Sequence, residues 1–173
     1  MHGMESLSHH LHRLLQTIAA TAFIIITLLI LKHWSNDIVF WVLGATSLAS
    51  SATIVFFTPQ AKSAKNIQIL SSYAIALLVT LGIREIKFRL IEPYTQNHLD
   101  PFMLTLIMIF VAIFIALYIF TLLHIIHPPA TGLALSMAVH GPGYEVFLLL
   151  MSLAILLIII KSIFYRLLED IST

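Results

Sequence analysis

HIIHPPATGLALSMAVH, residues 124–140, is the one place where this hydrophobic chain sets polar groups and helix breakers inside an apolar region. Neither Pro128 nor Pro129 has an amide to donate, and a residue preceding proline is driven out of the α region. A helix arriving through His124 therefore cannot run on. Proline is accepted as the first residue of a helix, so Pro129 can open a new one through Ala130, Thr131 and Gly132. That segment, about 11 residues to Val139, is too short for the ~20 that cross a bilayer. It reads as a half-helix or re-entrant segment. Its N-terminus would present free N–H groups and the positive end of a dipole, the outline of an anion site.

Outward from this stretch, apolar runs of membrane length recur. Before it, Phe102–Ile126 is about 25 residues without a charge, an unambiguous span. After it, Gly141-Pro142-Gly143 makes a turn. A further run from Tyr144 to Ile160 continues as an amphipathic end through Lys161, Tyr165, Arg166 and Asp170. Upstream lie Leu14–Leu31, Ile38–Phe57 and Ile67–Ile83. Lys32, His33 and Trp34 follow the first of these where a signal peptide would have a cleavage site, so it is expected to stay as a membrane helix. Residues 1–13, with His2, His9, His10 and His12, form a polar lead-in, and 84–101 is a mixed-charge loop between the halves. The expected fold is all-α and integral to the membrane: one domain, 1–173, of about five transmembrane helices plus the half-helix.

Composition agrees. The chain has 173 residues, 60% hydrophobic and 10% charged, with a mean hydropathy of +1.00, more apolar surface than a soluble core of this size uses. A net charge of +1 with no basic cluster gives no case for nucleic acid. The absence of cysteine excludes disulfides, thiolate metal sites and cysteine nucleophiles. Five crossings and a re-entrant piece would put Lys32, Arg84, Lys87, Arg89, Lys161 and Arg166 on one side and Arg13, Lys62 and Lys65 on the other. The positive-inside bias then favours an outside N-terminus and a cytoplasmic C-terminus, a count that fails if the short helix crosses.

Within the second run, residues 44–53 read GATSLASSAT. Small and hydroxylated side chains let membrane helices approach closely. Close packing is one account; a broken or pore-lining helix is the other. Ala45-Thr46-Ser47-Leu48-Ala49 returns as Ala130-Thr131-Gly132-Leu133-Ala134, once in each half. The echo is either chance or the mark of two inverted repeats, a plan on which interrupted transporter helices meet at mid-membrane.

His127-Pro128-Pro129-Ala130 followed by small residues resembles the motif of the HPP family of integral membrane proteins. The stretch Gly44-Ala45-Thr46-Ser47, leading through Phe56 and Phe57 to Pro59, and the pair Lys65-Asn66 also resemble that family. The likeness spans most of the chain. Leu70-Ser71 stands where the family has Gly-His, Thr131-Gly132 where it more often has Gly then Ala, and the second proline pair of the 59–65 loop is missing. The resemblance implies nitrite transport.

A monovalent oxyanion sheds water on entering a pathway, which calls for donors without a fixed countercharge that would trap it. The expected pathway residues are His127, Pro128, Pro129, Ala130, Thr131 and Gly132, with Gly44, Ala45, Thr46 and Ser47. The amides beginning near Thr131 and Gly132 and the hydroxyls of Thr46, Ser47 and Thr131 would act as donors. Lys65 and Asn66 would sit at the mouth. No carboxylate lies deep in a span, so an acidic proton relay is not expected, and His124, His127 and His140 are the groups able to carry a coupling proton. His127 can equally cap the arriving helix. Passive passage stays as open as symport. No cofactor or metal is expected; His124 and His127 have a metal-binding spacing but no Cys, Asp or Glu beside them. Competing readings are a scaffold or sensor subunit and an intramembrane hydrolase using Ser136 or Ser152 with a histidine. The expected setting is the bacterial inner membrane, with lipid, a small anion and further copies of the chain as partners, since 173 residues make a thin wall around a pathway.

Overall fold

The computed structural model describes residues 2–34, 38–91, 100–140, 144–165, 168 and 170, and it is helical throughout its regular elements. Helix α1 (His2–Trp34) is already helical in the polar lead-in. It packs on α2 (Ile38–Phe57), and Gln16, buried on α1, donates its Nε2 to the Phe56 carbonyl at 3.0 Å. Thr58-Pro59 ends α2, because proline cannot continue the ladder. A 3-10 turn (Lys62–Ala64) then leads into α3 (Asn66–Ile86). The segment expected to be a loop from residue 84 is helical at its start: α3 runs to Ile86 and a π turn covers Lys87–Ile91.

Helix α4 (Pro101–Leu122) begins as its sequence asks. Asp100 caps it, accepting from the Phe102 amide at 3.0 Å, and Pro101 occupies the first turn, where a missing N–H costs nothing. The short helix α5 (Pro129–His140) follows the double proline, and α6 (Tyr144–Phe164) completes the chain. Among the described residues, four helices are long and apolar enough to span a membrane, and Val42–Phe57 of α2 is a shorter apolar one. The protein is an integral membrane protein of all-α architecture.

Helix directions follow from contacts. Gln16 meets Phe56, and the Lys161 ammonium donates to the Ala64 carbonyl, so the half of α1 that leads up to Gln16, the end of α2, the start of α3 and the end of α6 lie toward one face. Toward the other face, a Cβ on Gly44 would touch Leu31 at 3.4 Å and Leu150 at 3.8 Å. Helix α6 thus returns to the face where α1 began. The expected fold of about five apolar spans plus a half-helix stands; what changes is which charges share a face, because the short helix carries the chain across. The 12-residue α5 starts at the depth of Ser47, whose hydroxyl donates to the Pro129 carbonyl at 2.6 Å. From there its ~18 Å of helix completes a crossing that the non-helical 123–128 segment began. Lys161 therefore lies with Lys62 and Lys65, not opposite them. Among the described residues the count becomes four against four (Arg13, Lys62, Lys65, Lys161; Lys32, Arg84, Lys87, Arg89). That balance yields no orientation; Arg166 lies outside the described residues.

Helices α2 and α5 pack side by side and run antiparallel, with α3 and α4 also against α5. The short helix is thereby held in the middle of the bundle: Ala130, Leu133 and Ala134 are fully buried.

Candidate functional site

The break before α5 is built by the chain end of α4. Leu123 leaves the helix at φ −92° and His124 takes a left-handed φ of 52°. Ile125 N–H reaches the Phe120 carbonyl at 2.9 Å and His124 N–H the Thr121 carbonyl at 3.3 Å. These two bonds, six-to-one and five-to-two, make a Schellman stop with histidine where glycine is usual. The helix therefore ends at Leu122, four residues short of the expected Ile126, before either proline acts. Gln68 of α3 then accepts from the Ile126 amide at 2.6 Å and ties the loop to the bundle.

His127 follows, almost fully buried. Its Nδ1 lies 2.8 Å from the Ser63 carbonyl and its Nε2 2.8 Å from Ser51 Oγ. A carbonyl only accepts, so Nδ1 carries a proton; in the neutral ring Nε2 then accepts from Ser51. Tyr73 O–H donates in turn to Ser51 Oγ at 2.7 Å, with Ser47 Oγ at 3.3 Å. The chain Tyr73, Ser51, His127, Ser63 thus links α3, α2, the proline loop and the 58–65 loop with every polar atom partnered. Such buried networks cost much when half satisfied and fix one arrangement when complete. Ser51 also has the Ser47 carbonyl at 3.2 Å as a second acceptor. A turn of one hydroxyl would therefore let it accept from a protonated ring. His127 is a bridge to three elements, not a cap on the arriving helix.

Two grooves flank the proline loop. One of about 520 Å³ is lined by Thr46, Ser47, Ser50 and Thr53 of α2 with Pro128, Pro129, Thr131 and Gly132. The other, about 470 Å³, runs along α4 past Thr121, His124 and His127 to Lys62, with Thr131 again in its wall. Among the described residues, neither is lined by a carboxylate and the first by no charged group.

The sequence echo meets itself here. A Cβ on Gly132 would lie 3.9 Å from Ser47 Cβ. Ala45 and Ala130 are both buried, as are Leu48 and Leu133, while Thr46 and Thr131 line the same groove. The two copies run in opposite directions, as inverted segments do, yet α2 passes through its copy unbroken. A broken helix in the first half is not what the structure has.

Of the expected pathway residues, Thr46, Ser47, Pro128, Pro129, Thr131 and Gly132 come together around the first groove; Gly44 and Ala45 pack inward instead, Gly44 beside Leu31 and Leu150. The amides do not stand free as expected. Ala130 N–H bonds the His127 carbonyl at 3.2 Å and Thr131 N–H the Pro128 carbonyl at 3.0 Å. The Thr131 hydroxyl also donates to Pro128, at 2.7 Å. Proline substitution removes two orphan donors and the preceding turn absorbs the next two. The groups left able to donate are then hydroxyls that can rotate, set in the positive end of the α5 dipole.

Lys62, not Lys65, stands at a groove mouth; Asn66 lines a separate pocket near Lys161. Ser152 donates to the Leu149 carbonyl of its own helix at 2.7 Å, and the side chains of Ser136 and His140 lie outside the described ones. Ser51, Tyr73 and Gln68 were not among the expected pathway residues. The spacing of Ser47 and Ser51, one turn apart on the buried side of α2 next to the exposed Thr46 and Ser50, was the available signal for the first.

The transmembrane-region model of the HPP family, described as HPP, transmembrane region, matches residues 6–172. No curated protein matches the chain, and no solved structure matches it.

Proposed function

The chain belongs to the HPP transmembrane family, and we propose that it carries a small inorganic anion, nitrite first, across the bacterial inner membrane. The observation that carries this reading is the depth of the break. Helix α5 starts level with Ser47, nine residues into α2, so a helix N-terminus lies inside the bundle and not at its face. Irregular backbone at that depth is tolerated where it is buried in protein or lines a cavity, and discontinuous helices near mid-membrane are a recurring transporter device.

Five hydroxyl side chains (Thr46, Ser47, Ser50, Thr53 and Thr131) line the adjoining groove with no charge among them. Each of Thr46, Ser50 and Thr53 donates to a carbonyl one turn back, at 2.7, 2.9 and 3.0 Å. Such hydroxyls sit satisfied when the groove is empty and swing to an anion when one enters. Without a cation to trap it, the anion leaves as readily as it arrives. Lys62 at the second groove raises anion concentration at one mouth. The first groove opens on the outside of the bundle, and a second copy of the chain against it would close the wall.

The test is uptake of nitrite, nitrate, formate and chloride into proteoliposomes holding the purified protein alone. The expected result is nitrite uptake above that of empty vesicles, lowered at least tenfold by Thr131→Val and unchanged by Leu148→Ala on the lipid-facing side of α6. No uptake of any of the four anions overturns the proposal and favours a scaffold subunit.

A further inference from the structure

At the face where α6 meets the start of α3, a pocket of about 290 Å³ is lined by Asn66, Lys161, Ser162 and Tyr165. Lys161 is 8% exposed, although a lysine so near the end of a span can ordinarily extend its ammonium to the interface. One of its three N–H donors goes to the Ala64 carbonyl. A carbonyl is a partial match for a buried cation, which is held best by an opposite charge. None of the four described residues that line the pocket is acidic. Asp170, a carboxylate on the same face, accepts from the Gln60 amide at 3.3 Å and does not line the pocket. Helix α3 begins at Asn66 with no side chain capping it, so the positive end of its dipole is open to the same space.

We infer that this pocket is a second anion site, separate from the grooves at the proline loop, and that it takes a phosphate-class oxyanion. The Lys161 ammonium supplies the charge, and the Asn66 amide and the Ser162 and Tyr165 hydroxyls supply further donors. Ser162 donates to the Ile158 carbonyl at 2.9 Å in the empty pocket and would turn to the ligand. Two sources offer the same chemistry at this level of a membrane: the phosphodiester of a lipid headgroup and a free phosphate ion. The lipid-exposed Ile163 beside the pocket, 70% exposed, gives acyl chains a place to lie.

The inference does not rest on transport, and its test needs no flux. Delipidated protein in detergent is titrated with inorganic phosphate against chloride at matched ionic strength, followed by thermal unfolding. In parallel, native mass spectrometry compares retention of phosphatidylglycerol with that of diacylglycerol, which lacks the phosphate. The expected result is preferential binding of at least one phosphate probe, about tenfold weaker in Lys161→Met, as loss of a charge-assisted bond implies, and kept in Lys161→Arg. Binding of phosphate itself identifies a soluble ligand; binding of phosphatidylglycerol alone identifies a lipid. Should Lys161→Met fail to fold, the Asn66→Leu, Ser162→Ala pair is expected to weaken the same binding. Equal binding of probes and controls, or binding untouched by these substitutions, overturns the inference.

Discussion

Replacing Ser51 by alanine should destabilise the protein more than replacing Tyr73 by phenylalanine, although tyrosine loses a hydroxyl from a larger buried side chain. Ser51 Oγ is the recorded partner of His127 Nε2 at 2.8 Å, and His127 is 1% exposed. Its removal leaves a buried nitrogen without a partner, at a cost of about 1–3 kcal/mol, and also loses the Tyr73 bond, worth about 0.5–1.5 kcal/mol. Tyr73→Phe orphans nothing: Ser51 keeps His127, and Ser47 keeps the Pro129 carbonyl at 2.6 Å. Its cost is about 0.5–1.5 kcal/mol. In the double variant the 2.7 Å Tyr73–Ser51 bond is counted once. The two effects should therefore fall short of additivity by about 0.5–1.5 kcal/mol, as contacting residues do. Reversible unfolding in mixed micelles, for the intact protein, both single variants and the pair, measures all three quantities. A Tyr73→Phe loss equal to or larger than that of Ser51→Ala, or strict additivity, would refute the bond order assigned to the network.

Other consequences are local. His124 at φ 52° holds a position that glycine occupies without strain, so His124→Gly should be neutral or stabilising, and His124→Val should lose about 1 kcal/mol or more; thermal unfolding of the two variants reads the sign. Gln68→Leu deprives the Ile126 amide of its 2.6 Å acceptor and should cost about 0.5–1.5 kcal/mol. Gln68→Glu keeps an acceptor and should cost less, again by unfolding, and equal losses would assign Gln68 a packing role only.

The helices were legible because their cause is local. Ile38–Phe57 is bounded in the sequence as in the structure, and α4 begins at Pro101 under the Asp100 cap, one residue before the expected Phe102. The break at residues 127–129 was legible for the same reason. Where the chain turned before it was not, since His124 adopts a glycine conformation that its residue type does not announce. The half-helix itself was legible, but the sidedness of the charges was not, because apolar length alone does not say whether 12 residues begin at the surface or halfway down. That is decided by Ser47 and Tyr73, distant in sequence and joined by folding. The site was half readable. Thr46, Ser47, Thr131 and Gly132, which the echo singles out, come together around one groove, while the pairing of the Ala130 and Thr131 amides depends on a turn the pattern does not encode.

The absence of cysteine from the chain gives the sharpest test of a water-filled path beside the half-helix. Single cysteines at Thr46 and Thr131, in the groove, and at Leu148, 65% exposed on the lipid side of α6, can be offered a membrane-impermeant anionic thiol reagent in sealed vesicles. The account predicts labelling of Thr46→Cys and Thr131→Cys that nitrite slows, with Leu148→Cys inert. If the groove positions label no faster than Leu148→Cys, they face lipid, and no anion passes there.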